Sequence, residues 1–262
     1  MASNVSKPST EWQGWTPASL PGLVIYADPD TLPSDGSYIS TWNAVHGSGS
    51  FAYYGSQPWQ VSVGGVRGAA FSNGFNTFLT RNVGDVAANN FSFGCLVYSN
   101  TAQEWKNPIS LTTGFDPASR QLCRIETGGG STAAYGDVQG VSVGGDLNAS
   151  SWIFASMRNS TGGKSFQRQG VLSVAGGTNA SGTFNRCNLG ANYYGNRWMT
   201  CVIAAAWFCS QDVGVENIMR LERYLANKLG LIGNLNAAHW NKTFPPFTKR
   251  FLWATEMFVS VG

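Results

Sequence analysis

MRLERYLANKLGLIG, residues 219–233, is the stretch that decides how this chain is built. With Ile218 just ahead of it, Leu221, Leu225 and Leu229 recur at steps of three and four, so one apolar stripe runs down a helix at about 213–229. Asp212 stands where an N-cap belongs, Lys228 falls in the last turn, and Gly230 occupies the C′ position. No other segment carries this period so clearly. A lone amphipathic helix in a strand-rich chain closes a barrel end or covers a sheet, which predicts an all-β fold with one C-terminal helix.

Outward from that stretch the pattern drops to a period of two. LVIYA (23–27) is a compact strand, and ADPDTLPSDGS (27–37) is dense in turn residues. YISTWNAV (38–45) places Tyr38, Ser40 and Trp42 on one face. FSFGCLVYS (91–99) sends Phe91, Phe93, Cys95 and Val97 to one side, the mark of a half-buried strand. QLCRIET, SWIFASMRN, GVLSVAG and RCNLGANYY follow, divided by Gly- and Asn-rich turns at the spacing of a sandwich or barrel. CVIAAAWFC (201–209) is apolar on both faces and predicts a central strand covered on each side. VSVGG occurs at 61–65 and again at 141–145 without shared flanks, so it reads as two strand ends and not as a repeat.

A length of 262 residues suits one large β-domain. Charged residues are 12% of the chain, against roughly 25% in soluble domains. The net charge of +3 is spread without a basic block, which argues against a nucleic-acid surface. No apolar run approaches the roughly 20 residues that span a bilayer, and MASNVSKPST has no apolar segment of the signal-peptide kind. Cys95, Cys123, Cys187, Cys201 and Cys209 are odd in number, lie in apolar runs and form no C-x-x-C pair. They read as small buried hydrophobes of a reducing compartment.

The block RCNLGANYYGNRWMTCVIAAAWFCSQDVGVENIMRLERYLANKLGL (186–231) resembles the end of concanavalin A-like, laminin-G-type jelly-roll domains. Such modules close on a Gly, a strand and an ERYLAxKWGL helix, with Leu229 here where Trp is usual. SSWIFASMRNSTGGKSFQRQGVLS is similar to their Trp-led strand and hairpin, and LPGLVIYADPDTL with ISTWNAVHGSG to their opening segments. The likeness runs over about 15–245. It implies a jelly-roll β-sandwich at 21–247, an N-terminal arm at 1–20 and an apolar tail at 248–262. Modules of this type without a signal peptide resemble those of bacteriophage virions, in fibres, spikes and capsid decorations. That likeness implies synthesis in the bacterial cytoplasm and a place on a particle surface.

Glycosidases of this fold class carry E-x-D-x-x-E on one strand, and the sequence has no such triplet among its 14 carboxylates. Glycoside hydrolysis needs two carboxyls about a sugar bond, so distant acids such as Glu104 and Glu126 would have to converge. The expectation is therefore a chain that is not an enzyme, with no catalytic residue. GVSVG (140–144) matches G-x-S-x-G, but GDLNAS follows where a helix is required, leaving Ser142 an ordinary strand residue. His46 and His239 lie too far apart in sequence for ligand spacing. The Asp-rich turns ADPDT and PSDGS could offer oxygens to calcium, though Asx-turns are their commoner role. No cofactor and no metal ligand is assigned. Six N-x-S/T strings, at Asn4, Asn90, Asn148, Asn159, Asn179 and Asn241, are what an Asn- and Ser-rich chain contains by chance.

Sugars present CH-rich faces that stack on aromatic rings. Tyr53, Tyr54, Trp59, Trp105, Tyr193, Tyr194 and Trp198 lie in or beside loop-like segments and are the candidate carbohydrate contacts, against core or interface anchoring, the commoner fate of such rings. The leading expectation is a non-enzymatic jelly-roll that binds host-surface glycan for a phage-like particle. The alternatives are a purely structural virion protein and a glycan-cleaving enzyme. Trp12 and Trp15 in the arm, with Phe251, Trp253 and Phe258 in the tail, are candidate interface residues for a homo-oligomer or other virion proteins.

Overall fold

The computed structural model describes residues 15–87, 89–100, 106–113, 121–125, 133–136, 141–144, 150–160, 163–175, 183–191, 198–236 and 239. Strands are numbered along the chain. The larger sheet runs in the order β15 (Val171–Ala175), β14 (Gly163–Arg168), β13 (Trp152–Ser160), β8 (Phe91–Tyr98), β17 (Cys201–Cys209), β1 (Leu23–Ala27) and β3 (His46–Gly47). β6 (Val66–Phe71) also pairs with β17 and carries β5 (Trp59–Val63). The smaller sheet runs β10 (Gln121–Ile125), β9 (Ile109–Thr112), β16 (Thr183–Leu189), β7 (Thr77–Ala87), β4 (Ser50–Gly55) and β2 (Thr41–Asn43). β11 (Ala133–Gly136) and β12 (Val141–Gly144) pair with each other. Every pairing between these strands is antiparallel, so the chain is an all-β sandwich with one α-helix, α1 (Gly214–Lys228), among the described residues.

Two apolar layers explain the period-two pattern and its exception. One lies between the sheets and holds Phe91, Phe93, Cys95 and Val97 of β8 with Leu79, Leu111 and Leu189 from the facing sheet. The other lies between the larger sheet and α1, where Ile218, Leu221 and Leu225 meet Tyr26, Phe154 and Trp207. β8 is thus buried on both faces and not on one, because the helix covers the side left open by the facing sheet. β17 takes the central, doubly covered place that its all-apolar run requires. The helix begins at Gly214 with Val213 before it. Asp212 acts one step outside the expected cap: its carboxylate accepts the Gly214 N–H at 2.9 Å and lies 3.5 Å from Arg158 Nη1. Gly230, at φ +71, ends the helix in the left-handed region that favours glycine.

The turn ADPDT locks the helix to the sheet. Asp28 is fully buried and accepts from Tyr26 Oη at 2.7 Å, from Asp30 N at 3.0 Å and from Lys228 Nζ at 2.6 Å. Lys228 Nζ also reaches Asp30 Oδ2 at 2.6 Å, and Trp42 Nε1 donates to the Asp28 carbonyl at 3.1 Å. The Asp28 and Asp30 carboxylates of the first turn considered for calcium hold a lysine. Burial opposes the Lys228 charge, but its bonds to the two carboxylates outweigh this and hold its pKa above the ordinary lysine value. That contribution is whole at neutral pH and is lost only as pH rises past the raised value.

The five cysteines are free and buried. Burial raises Cys187 and Cys209 each to about 12, so neither is a thiolate at neutral pH. Gly94 on β8 shows how closely the second layer is packed. A Cβ there would stand 2.4 Å from Trp207 Cζ2 and 2.5 Å from the Ala155 carbonyl oxygen. Gly94→Ala should therefore lower stability by about 1–3 kcal/mol through overpacking, read as a reduced melting temperature with the strand-rich circular dichroism retained.

Candidate functional site

Sheet alternation sorts the smaller sheet into two faces. Leu79, Leu111, Cys187 and Leu189 point to the core. Phe78, Thr80, Ser110, Thr112 and Asn188 take the other face. There Thr80 Oγ1 donates to Asn188 Oδ1 at 2.8 Å, and Asn188 Nδ2 donates to Thr112 Oγ1 at 3.2 Å and Ser110 Oγ at 3.4 Å. Ser110 Oγ in turn donates to the Ala191 carbonyl at 2.9 Å. These groups are buried and bonded to one another, so they set strand register and do not face a ligand.

One step along the same face a ladder of rings begins. Tyr54 lies 5.2 Å from Phe78, and Phe78 5.2 Å from Trp198, both tilted. Tyr54 pairs with Phe78 across β4 and β7, which places them side by side. Phe78 is closed off, Trp198 is half-buried and Tyr54 is exposed. The exposed large apolar side chains of the described residues are Tyr38 at 71%, Phe75 at 67%, Tyr54 at 55% and Tyr53 at 45%, with Tyr53, in register with Leu79, on the face of β4 opposite to Tyr54. They sit on neighbouring segments. Tyr53 N donates to the Ser40 carbonyl at 3.1 Å, and Tyr38 bridges to half-buried Trp59. Phe75 belongs to the turn that leads into β7, whose Thr77 pairs with Gly55 next to Tyr54.

Of the aromatic residues singled out in the sequence, the structure brings Tyr53, Tyr54, Trp59 and Trp198 to this end of the sandwich. Trp105, Tyr193 and Tyr194 lie outside the described residues, as do Trp12, Phe251, Trp253 and Phe258. Trp15 packs edge-on against Tyr224 of α1, ring centroids 6.2 Å apart, and stays partly exposed. Sequence reading did not single out Tyr38 and Phe75, which the structure leaves exposed. Tyr38 sat in an apparent strand, but regular pairing starts only at Thr41 and leaves its ring in solvent. Phe75 lies in SNGFNT, whose Gly and Asn flanks were the available sign of an exposed turn.

Sequence reading also missed an acid–base pair. Glu222 of α1 and His239 approach to 3.3 Å, both side chains fully enclosed. Burial raises the Glu222 carboxyl, and His239, Gln167 and the Gly170 backbone offset this in part. Gly170 packs so closely on His239 that a Cβ would lie 2.2 Å from its Cδ2. Enclosure makes this pair a fastening between α1 and the segment at His239 that packs on Gly170, out of reach of a substrate. Glu104 and Glu126 lie outside the described residues. No group of three or more metal-binding side chains occurs among the described residues.

No model of a known protein family matches the sequence, and no curated protein is similar to it. Solved structures share the fold. A Trypanosoma rangeli sialidase in complex with sialic acid is similar over 79% of this chain and 33% of its own, at TM-score 0.52 and 10% identity. Domain 4 of AbnA, a GH43 extracellular arabinanase from Geobacillus stearothermophilus, in complex with arabinotriose, is similar over 78% of this chain and 99% of its own, at 0.50 and 14%. A GH54 α-L-arabinofuranosidase is similar over 73% of this chain and 51% of its own, at 0.56 and 12%. The chain thus spans a third of the sialidase, half of the arabinofuranosidase and nearly all of the arabinanase domain. At these identities the likeness establishes the fold. It also overturns the expectation that the chain is not an enzyme. That expectation leaned on a missing motif of one glycosidase type, whereas structures with this fold include a sialidase, an arabinofuranosidase and an arabinanase domain.

Proposed function

We propose that the chain is a carbohydrate-recognising β-sandwich that takes glycan on the aromatic end formed by Tyr38, Tyr53, Tyr54 and Phe75. The observation that carries this is that the four large rings exposed among the described residues lie on adjoining segments at one end of the sandwich, Tyr54 on the outer face of β4 and Tyr53 on the face opposite to it. Large rings held in water are costly to display unless a partner covers them. Tyr hydroxyls give the surface hydrogen-bonding capacity beside its stacking faces. The ladder to Phe78 and Trp198 stiffens Tyr54, which lowers the entropy lost on binding. The arabinanase domain, whose structure holds arabinotriose, is a module of matching extent.

In this reading the module is displayed on the outside of a phage-like particle and contacts host-surface glycan, in keeping with the resemblance of its closing block. Cleavage of the bound glycan is the second reading, supported by the glycosidases among the similar structures.

A glycan array tests recognition. The wild-type protein should bind at least one host polysaccharide, and Tyr54→Ala should weaken that binding by roughly tenfold, about 1.4 kcal/mol, through loss of the apolar area the ring buries against sugar. Release of reducing ends from the bound polysaccharide would establish the second reading. Absence of binding to every glycan would reject recognition.

A further inference from the structure

We infer that this aromatic end selects uncharged glycans and discriminates against sialylated, uronic or phosphorylated ones. The inference rests on the carbohydrate reading above and adds the class of sugar. It comes from where charge is missing. All of Tyr38, Tyr53, Tyr54, Trp59 and Phe75 fall within residues 36–80, and Arg67 is the one Asp, Glu, Lys or Arg in that span.

Arg67 does not serve the surface. Its Nη2 donates to the carbonyls of Leu32 and Pro33, back toward the Asp28 turn. The nearest charges along the chain on either side are Asp35 and Arg81. Asp35 is exposed and negative, three residues before Tyr38. Arg81 lies in register with Cys187, whose side chain belongs to the layer between the sheets, and its Nη2 reaches Ser48 Oγ at 3.4 Å under the hairpin joining β3 and β4. Its Nε and Nη1 are buried. The exposed polar side chains interleaved with the rings are neutral: Ser40, Ser56, Asn73 and Asn76. Arg197, which precedes Trp198 in the sequence, lies outside the described residues.

A sugar carboxylate or phosphate brought onto such a surface loses water and gains no cation from residues 36–80. Arg and Lys are what make anion recognition strong, through charge-assisted bonds roughly twice as strong as neutral ones. Without them the desolvation cost stands, and Asp35 adds repulsion. A neutral pentose or hexose meets no such penalty, since its CH faces stack on the rings and its hydroxyls pair with Ser and Asn. The chain as a whole is +3, so the scarcity of cations within residues 36–80 runs against the bulk charge.

The test is calorimetric titration of the wild-type chain with four probes: arabinotriose, a neutral hexose oligosaccharide, sialyllactose and an oligogalacturonide, each at low and high salt. Neutral probes should bind at least about tenfold tighter than acidic ones, with affinity unmoved by salt. Ser56→Arg should raise affinity for an acidic probe and make it fall with salt. Tighter binding of sialyllactose or the oligogalacturonide by the wild type would overturn the inference while leaving glycan recognition standing. Failure of all four probes, in a protein that also binds nothing on the array, would remove the carbohydrate reading and the inference with it.

Discussion

Leu225→Asp should abolish cooperative unfolding or leave the protein insoluble. Leu225 is fully buried at the centre of α1's apolar stripe, in the layer with Tyr26, Phe154 and Trp207. The substitution removes burial worth about 1.5–3 kcal/mol and places an unpaired carboxylate in an apolar layer, where it must take up a proton or unfold its surroundings. The sum approaches the whole net stability of a domain, about 5–15 kcal/mol. Differential scanning calorimetry reads it directly. An unchanged melting temperature would mean that the helix does not pack on the larger sheet.

Lys228→Met comes next in size, at about 3–5 kcal/mol, the usual cost of leaving one partner of a buried pair alone. Asp28 would keep the Tyr26 hydroxyl and the Asp30 N–H but lose its only cation among the described residues. The double variant Asp28→Asn with Lys228→Met should recover part of the loss, because it removes the stranded charge as well. Denaturant melts of the wild type, the two single variants and the double variant give the coupling. A Lys228→Met protein as stable as the wild type would show that the helix end is held by apolar packing alone.

These two positions show what the sequence made legible. The stripe Ile218, Leu221, Leu225 announced both the helix and its buried face, because a 3.6-residue period has few other causes. The double coverage of β17 was equally plain in CVIAAAWFC. β8 was misjudged as half-buried: Gly94 and Ser92 look like solvent-side residues, and nothing local reveals that a helix 120 residues later will cover them. The sequence placed Lys228 in the last turn of the helix but gave no sign that it spans to Asp28 through tertiary contact. At the aromatic end, single aromatic residues were visible but their placement on adjoining segments was not. Tyr38, Tyr54 and Phe75 come from three segments, and it is the pairing of β4 with β7 and the start of β2 at Thr41 that bring them together. The Glu222–His239 fastening was hidden for the same reason, since the ordinary spacing of each residue gives no hint of the other.

Ring-labelled Tyr and Phe resonances, followed by NMR while the best array glycan is titrated in, test the carbohydrate-binding end most directly. The account predicts that perturbations concentrate on Tyr38, Tyr53, Tyr54 and Phe75, with a smaller response at Phe78 behind Tyr54. Saturating binding that leaves these five rings unmoved, or that shifts rings elsewhere in the sandwich, would contradict it.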